Sequence, residues 1–284
     1  MRSVPVSSVP AVVGVLAALL APPAPCSAQQ EEETYSQVDL RDGGSVFGNV
    51  VRAGDRVLVI RGADTLSLPG SQVERIRDVR GRMIDGQFMR QDPNETRLFF
   101  GPTGRTLPRG ESYLGVFELY LPFLAYGVTD RVTVAGGIPL FFGDDLPMIL
   151  YVAPKVQLIR TDALSGSVGT LSFFTSEGNA GLVYGAATVE TRDGRASLTG
   201  GGGGAYAEGE MADGAVLMLG GDVRVSRSLK LLTENYLIDD DYDSVALLSF
   251  GIRFIGERLS ADVGLAIPSE ASIALPLVNF VYSF

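Results

Sequence analysis

The chain has 284 residues, a formal net charge of -10, one cysteine, no histidine and no tryptophan. Beyond residue 28, no uninterrupted apolar run approaches the roughly 18 to 20 residues that a membrane-spanning helix needs. The acidic balance, without basic clusters, argues against nucleic-acid binding, because contacts to phosphates dominate that affinity. Without histidine, Ser-His and Cys-His catalysis and histidine-ligated metals are excluded.

Residues 1–28 have the pattern of a secretory signal peptide cleaved after Ala28, with Arg2 before an apolar run and small residues at Cys26 and Ala28. A non-cleaved anchor is one alternative. Lipidation of Cys26 is another, although Pro23 stands where lipoprotein signals carry an aliphatic residue. The mature chain would contain no cysteine, so its stability cannot depend on disulfides. Residues 29–37 predict an unstructured polar leader.

Residues 38–79 are short alternating runs separated by turn formers, which predicts a compact meander of about five strands. The sequence from Leu40 through Asp42 and Gly43 leads into a strand that ends near Gly48. This "L-x-D-G" pattern resembles that of SH3-like and LSm-like small β-barrels, and the resemblance implies a fold without implying an activity. Residues 80–94 sustain no period and predict a linker.

The remainder, residues 95–284, is a succession of strand-length segments whose connections alternate in length. Short turns are predicted at residues 129–130, 161–166, 193–194, 226–228 and 256–257, and longer polar connections at 143–147, 176–179, 208–213, 239–244 and 268–272. This alternation is typical of bacterial outer-membrane β-barrels. Counting strands through this alternation gives eleven from Tyr113 onward. Thr96–Gly104 is predicted to be a twelfth strand, which runs up from the periplasm. The prediction is an all-β protein with a transmembrane antiparallel barrel of twelve strands, or ten as the fallback, and a small periplasmic β-domain.

Period-2 patterning indicates which side chains face lipid. In the hairpin of residues 248–265, apolar side chains share one face, and small or polar side chains share the other. Phe280, Tyr282 and Phe284 continue this alternation to the terminus and resemble the signal by which outer-membrane barrels are recognised. The resemblance implies contact with the barrel-assembly machinery, and the fold implies contact with outer-membrane lipid and lipopolysaccharide. A soluble β-sandwich, whose strands also alternate, is the alternative.

The same alternation directs a set of mostly charged side chains toward the lumen. They are Glu118, Lys155, Tyr184, Glu190, Asp222, Arg224, Lys230, Glu234, Arg253 and Asp262. Because both signs occur, the lumen is either a narrow polar pore or a set of ion pairs that close a small barrel. Sequence alone does not choose between them, since barrel diameter depends on shear as well as strand number.

Five consecutive glycines, Gly200–Gly204, are predicted to lie within a strand and not in a linker. A turn at Asp193-Gly194 sets a register that pairs Arg192 with Arg195, Glu190 with Ser197, Val189 with Leu198 and Tyr184 with Gly203. Glycine at these positions permits sharp coiling of the strand and close approach of a ring. The ring of Tyr184 is expected to lie across Gly201 and Gly203 inside the lumen.

Asp239, Asp241 and Asp243 match the first ligand spacings of an EF-hand loop, but Ser244 replaces its glycine and Phe250 its bidentate glutamate. A solvated acidic loop is the preferred interpretation, with a weak surface site for Ca²⁺ or Mg²⁺ as the alternative. The predicted outer loops are rich in carboxylates, whereas arginines lie at the short turns. The outer mouth should therefore be negative and favour cations, although acidic loops also serve solubility.

Together these features predict a non-enzymatic outer-membrane barrel without a cofactor, working as a narrow channel for small polar or cationic solutes. A structural or adhesive barrel with a sealed lumen is the first alternative. A secreted soluble β-protein is the second.

Overall fold

The computed structural model describes residues 33–84, 86–140, 149–176, 178–239, 244–270 and 273–284. The expected signal peptide therefore lies outside the described residues. Within them, no helix is long and apolar enough to cross a membrane. The strands are β1 Glu33–Leu40, β2 Ser45–Ala53, β3 Arg56–Arg61, β4 Asp64–Pro69, β5 Val73–Ile84, β6 Gln87–Arg90, β7 Ser112–Phe117, β8 Leu121–Thr129, β9 Val132–Gly137, β10 Leu150–Arg160, β11 Leu164–Phe174, β12 Asn179–Glu190, β13 Ala196–Ala207, β14 Glu210–Met211, β15 Ala215–Ser226, β16 Leu229–Asp239, β17 Ser244–Ile255, β18 Leu259–Pro268 and β19 Leu275–Ser283.

Strands β1 to β6 form a small antiparallel sheet with the order β4-β3-β2-β1-β5-β6. A 3-10 turn, Gly70–Gln72, separates β4 from β5, which returns to pair with β1. The core of the sheet is apolar and fully or nearly buried; it consists of Val38, Val57, Val59 and Leu68. The resemblance to SH3-like and LSm-like barrels stays a prediction.

The sheet is longer at both ends than its sequence pattern indicated. β1 begins at Glu33, so residues 33–37 belong to a strand and not to an unstructured leader. Within the expected linker, residues 80–84 form the end of β5 and residues 87–90 form β6. Long-range pairing explains both differences, because Glu33 pairs with Gly81 and the ring of Phe88 stacks on Phe47 at 4.5 Å.

Twelve strands form a closed antiparallel barrel, which confirms the predicted fold. β7 pairs with β19, which are the first and last strands of the barrel, and β12 pairs with β13. The sheet therefore closes on itself and has no free edge. Closure gives each strand of the wall a hydrogen-bonding partner on both sides, as a bilayer requires. The two-residue strand β14 only extends the end of β13 and is not part of the wall.

The twelve strands are not the twelve that the sequence indicated. Thr96–Gly104, expected as the first strand, makes no ladder and holds only an isolated bridge between Arg97 and Pro102. The stretch from Tyr113 to Val128, expected as one strand, is instead the hairpin of β7 and β8. Its turn contains Glu118 and Leu119, both with positive φ, 48° and 65°. Neither residue is a usual turn former, so local sequence gave no signal.

The connections divide the barrel into two ends. At the turn end lie the short connections 130–131, 161–163, 191–195, 227–228 and 256–258, and at the loop end lie the others, including the β7–β8 turn. The small sheet contacts the turn end, where Arg77 forms an ion pair with Glu257 at 2.7 Å and Arg90 N donates to Arg227 O at 3.2 Å. β7 therefore begins at the turn end, and β19 ends there.

The outer face of the barrel is apolar and the inner face polar. Leu248, Phe250 and Phe254 are each more than half exposed, whereas Ser249 and Arg253 between them are buried. The same alternation runs through the facing strand β18. An exposed apolar surface around a closed barrel is what contact with hydrocarbon requires.

The glycine run lies in mid-strand, and its register is confirmed for the pairs inside the ladder. Tyr184 pairs with Gly203, Val189 with Leu198 and Glu190 with Ser197. Arg192 and Arg195 do not pair, because the turn begins one residue earlier, with Gly194 N donating to Thr191 O at 2.8 Å.

The position of the Tyr184 ring differs from the prediction. The ring leans toward the other neighbouring strand, where a Cβ added to Gly169 would lie 2.6 Å from the Tyr184 hydroxyl. At Gly203 the close atoms are the Val183 carbonyl and the Tyr184 Cα and Cβ, and at Gly201 they belong to Gly185 and Ala186. Gly201 and Gly203 are thus needed for close backbone coiling and do not accommodate the ring.

Two substitutions within the glycine run should have opposite effects. An added Cβ at Gly203 would lie 2.2 Å from a backbone carbonyl oxygen, whereas one at Gly200 meets no atom within 4 Å. Gly203→Ala should therefore lower the free energy of unfolding by about 1–3 kcal/mol through overpacking. Gly200→Ala should leave it unchanged or raise it by up to about 1 kcal/mol, because alanine reduces unfolded-state entropy. Urea unfolding in lipid vesicles measures both, and equal destabilisation would contradict this account of the strand.

Candidate functional site in the barrel lumen

The lumen is occupied by part of the chain itself. Residues 92–107, called here the inner segment, enter from the small sheet, reverse direction and lead back to β7. Leu98 N donates to Gly101 O at 2.9 Å, and Thr103 N donates to Thr96 O at 3.0 Å, so the segment is a short hairpin. Side chains of β9, β10, β11, β12, β16, β17 and β19 all donate hydrogen bonds to it or accept them from it. Contacts from so many strands place the inner segment inside the barrel.

Glu234 on β16 binds the tip of the inner segment. Its Oε2 accepts hydrogen bonds from three consecutive backbone amides, those of Phe99 at 2.7 Å, Phe100 at 3.1 Å and Gly101 at 3.1 Å. The Tyr236 hydroxyl donates to its Oε1 at 2.8 Å. A fully buried carboxylate with four charge-assisted hydrogen bonds holds the tip firmly, because these bonds are stronger than neutral ones.

Arg253 on β17 donates hydrogen bonds to backbone carbonyls of the inner segment. Its Nη1 donates to Asn94 O at 2.9 Å, and its Nη2 donates to Leu98 O at 2.6 Å. Nε and Nη2 also bind both carboxylate oxygens of Asp262 on the facing strand, at 2.6 and 2.8 Å. The guanidinium is fully buried. Asp262 neutralises its charge inside the barrel, and its remaining donors hold the inner segment in place.

An ionic network joins the entrance of the inner segment to the wall. Asp92 accepts from Lys230 at 2.9 Å and from Arg253 at 3.1 Å, and Lys230 also contacts Asp222 at 3.0 Å. All four side chains are at most 9% exposed. These four charges thus form one connected set of ion pairs and do not line an open pore.

The returning half of the hairpin is bound by β9, β10 and β12. Thr188 accepts from Gly104 N at 2.8 Å, Gln157 donates to Gly104 O at 3.1 Å, and Thr133 accepts from Leu107 N at 2.8 Å. These neutral side chains were not among the expected lumen residues, although alternation places them on that face. The residues expected in the lumen were charged side chains and Tyr184, so the neutral polar ones were omitted.

Small residues in the wall make room for the segment's apolar side chains. Gly251 and Gly264 pair with each other, and a Cβ on either would lie 3.0 Å from the ring of Phe99. At Gly220 a Cβ would lie 2.5 Å from Leu98. The inner segment is therefore packed as well as hydrogen-bonded.

A second ionic cluster ties the inner segment to the small sheet. Glu190 on β12 accepts from Arg82 of β5 and from Arg105 of the inner segment, at 2.9 Å each. Arg224 on β15 donates to Arg90 O at 2.9 Å. The small sheet, the inner segment and the barrel wall consequently share polar contacts at the turn end.

Most predicted lumen residues lie in this site. Lys155, Arg224, Lys230, Glu234, Arg253 and Asp262 are buried, whereas Tyr184, Glu190 and Asp222 are partly buried. Glu118 differs, because it lies in the β7–β8 turn, where its carboxylate accepts from Val278 N at 3.1 Å. The inner segment itself was not predicted, since Thr96–Gly104 was expected to be a strand of the barrel wall.

The remaining predicted sites lie away from the lumen or outside the described residues. Phe280, Tyr282 and Phe284 are exposed on the outer face, at 38%, 42% and 67%. Asp239 is described at the end of β16, but Asp241 and Asp243 are not. The described part of the chain contains no group of three side chains suited to holding a metal ion.

A cavity of about 180 Å³ remains beside the inner segment, in the half of the barrel toward the loop end. Its base is formed by residues of the inner segment, among them Arg97 and Phe100, and its walls come from β7 and from strands between β9 and β16. The lumen thus holds a recess that ends on the inner segment.

Porins are among the solved structures that align with this chain, at low identity. No protein-family model matches the chain, and no curated protein matches its sequence. A KdgM porin solved in complex with disordered oligogalacturonate aligns with a TM-score of 0.49 and 11% identity, covering 61% of this chain and 98% of that one. The NanC porin aligns with a TM-score of 0.43 and 10% identity, covering 61% and 97%. A loop-deletion mutant of OmpT, an outer membrane protein of Vibrio cholerae, gives 0.36 and 12%, covering 88% and 96%.

Glu234→Ala should release the tip of the inner segment. Three backbone amides would lose a charged acceptor, and each such loss costs about 1–3 kcal/mol in a buried site. Amide hydrogen exchange at Phe99, Phe100 and Gly101 should therefore accelerate by about tenfold or more, as local opening becomes easier. Glu210→Ala, at an exposed position, is the control. Unchanged exchange at the three amides would show that Glu234 does not hold the segment.

Proposed function

We propose that this protein is an outer-membrane channel that the inner segment keeps closed. The supporting observation is that side chains of seven strands bind the segment, while the barrel wall is complete without it. Twelve strands enclose more space than the eight whose interior side chains alone can fill. Withdrawal of the segment would therefore leave a water-filled lumen, whereas its present position blocks one.

The location follows from the barrel's surface and connections. An apolar outer face around a closed barrel suits a bilayer, and short turns at one end with longer loops at the other are the pattern of bacterial outer membranes. By this pattern the turn end and the small sheet lie in the periplasm. Phe280, Tyr282 and Phe284 on the outer face would contact lipid and present the terminal strand to the assembly machinery.

A non-enzymatic role fits the side chains in the lumen. The chain has no histidine, the commonest general base near neutral pH. Among the carboxylates of the barrel wall, Glu234 is bound by backbone amides, Asp262 by Arg253 and Asp222 by Lys230. They hold the inner segment and its network, and no cofactor is needed for that task.

Charge at the recess does not favour the expected cationic solute. Carboxylates at the loop end, such as Glu208 and Asp213, are exposed and would attract cations. Beneath them, however, the recess is lined by Arg97 and Lys155. In the closed state a cation would meet the Arg97 guanidinium at the base, so we assign the channel to small polar solutes without a cationic preference.

Planar-bilayer conductance tests the closed channel. Replacement of residues 96–104 by a glycine-serine linker of equal length keeps the chain connected and removes the contacts that fix the segment. This variant should show stable ion-conducting steps, whereas wild type should be closed for most of the recording. Glu234→Ala should be intermediate, because it removes only the contacts at the tip.

Retained β-structure and the mobility shift on unheated gels control for folding. If the folded linker variant conducts no more than wild type, the barrel is sealed without the inner segment, and a structural or adhesive role replaces the channel. Wild type that conducts as freely as the variant would equally contradict closure by this segment.

A further inference from the structure

The recess beside the inner segment has the chemistry of a ligand site. Apart from the inner segment, its walls are mostly small or apolar side chains, including Ala135, Ala153, Leu171, Leu182, Val216 and Met218. Binding sites for small molecules are typically apolar recesses with a few polar groups that fix orientation. Its volume of about 180 Å³ admits a compact ligand, since a protein cavity of about 150 Å³ is enough to hold benzene.

Arg97 supplies a fixed cation at the base of this recess. Its Nε donates to the Tyr113 hydroxyl at 3.3 Å, and its guanidinium lies over the rings of Phe117 and Phe123 at 5.4 and 4.8 Å. These contacts orient the group and leave its terminal nitrogens without a hydrogen bond to any described residue. Among the described residues no carboxylate lies within 4.0 Å of it.

Lys155 also lines the recess and, within the described residues, has no acid at salt-bridge distance. Its Nζ donates to Thr96 O at 2.9 Å and to Thr103 O at 3.4 Å. In contrast, Lys230, Arg253 and Arg105 are each paired with an acid. A guanidinium stays protonated and is costly to bury without a counter-charge, so Arg97 leaves the recess electrostatically incomplete without an anion.

Tyr184 adds a hydroxyl to the wall of the recess. Its ring is held over Gly169, where a Cβ would collide with it. Across the part of the chain that the structure describes, this hydroxyl has no hydrogen-bond partner. A donor on the wall and a guanidinium at the base can therefore meet the polar end of one ligand, while its apolar body contacts Leu182 and Met218.

We infer that the recess binds a small apolar carboxylate, of the size of a single-ring aromatic acid, with Arg97 as its anchor. A carboxylate matches the paired donors of a guanidinium, which gives shorter and stronger hydrogen bonds than a neutral group. A cation is disfavoured by Arg97, and a neutral ligand leaves its charge uncompensated. Because Arg97 belongs to the inner segment, the site exists only while the segment lies in the lumen.

Binding of benzoate and benzamide to the full folded chain in one detergent tests this inference. The two probes share their shape and differ in charge. Isothermal titration and ligand-detected NMR should show benzoate binding about tenfold or more tightly than benzamide, as expected for a hydrogen-bonded charge. Arg97→Gln should weaken benzoate by a similar factor and leave benzamide unchanged. Tyr184→Phe should weaken benzoate less, because it removes one neutral donor.

Arg109→Gln is the matched control, since it removes an equal charge at an exposed position outside the recess. It should leave benzoate affinity unaltered. The inference is overturned if wild type shows no benzoate binding beyond that of the empty detergent, if benzamide binds equally well, or if Arg109→Gln weakens benzoate as much as Arg97→Gln. Should Arg97→Gln fail to fold, the benzoate-to-benzamide ratio of wild type still decides. These readouts require no conductance, so they are independent of whether the barrel is a channel.

Discussion

The satisfaction of backbone polar groups in the lumen is the constraint on which the rest of the structure depends. Each N–H and C=O of the inner segment that leaves water needs a partner, and the wall strands have already used their own groups in the ladder. Only side chains remain to supply these partners. Glu234 therefore accepts from three amides and Arg253 donates to several carbonyls. The polar lumen is matched to a peptide and not to a column of water.

Packing follows from the same constraint. Where the segment is bulky, the wall is glycine, as at Gly251 and Gly264 around Phe99. Where the segment is glycine, the wall approaches it, and a Cβ on Gly104 would lie 2.1 Å from Ser165 O. Ion pairs through Glu190 then join the segment to the small sheet. Displacement of the segment consequently breaks hydrogen bonds, apolar contacts and ion pairs together.

Sequence could predict the features that local chemistry determines. The alternation of apolar and polar side chains indicated which face of each strand is turned outward. The Asp193-Gly194 turn indicated the register that places Tyr184 opposite Gly203. The inner segment escaped prediction because a short apolar run such as residues 98–100 suits a strand or a buried hairpin equally well. Only distant residues, Glu234 and Arg253, select the hairpin. The β7–β8 turn escaped because contacts with β19 hold it, including that of Glu118 with Val278.

The most direct test of the central claim locates the inner segment in the folded protein. A photoreactive phenylalanine derivative at Phe100 retains the aromatic ring, and irradiation in lipid vesicles followed by mass spectrometry identifies its neighbours. The account predicts cross-links to the barrel wall, foremost to β7, where the ring of Phe117 lies 5.2 Å from that of Phe100. Cross-links confined to the small sheet or to lipid would contradict it, because they would place residue 100 outside the lumen.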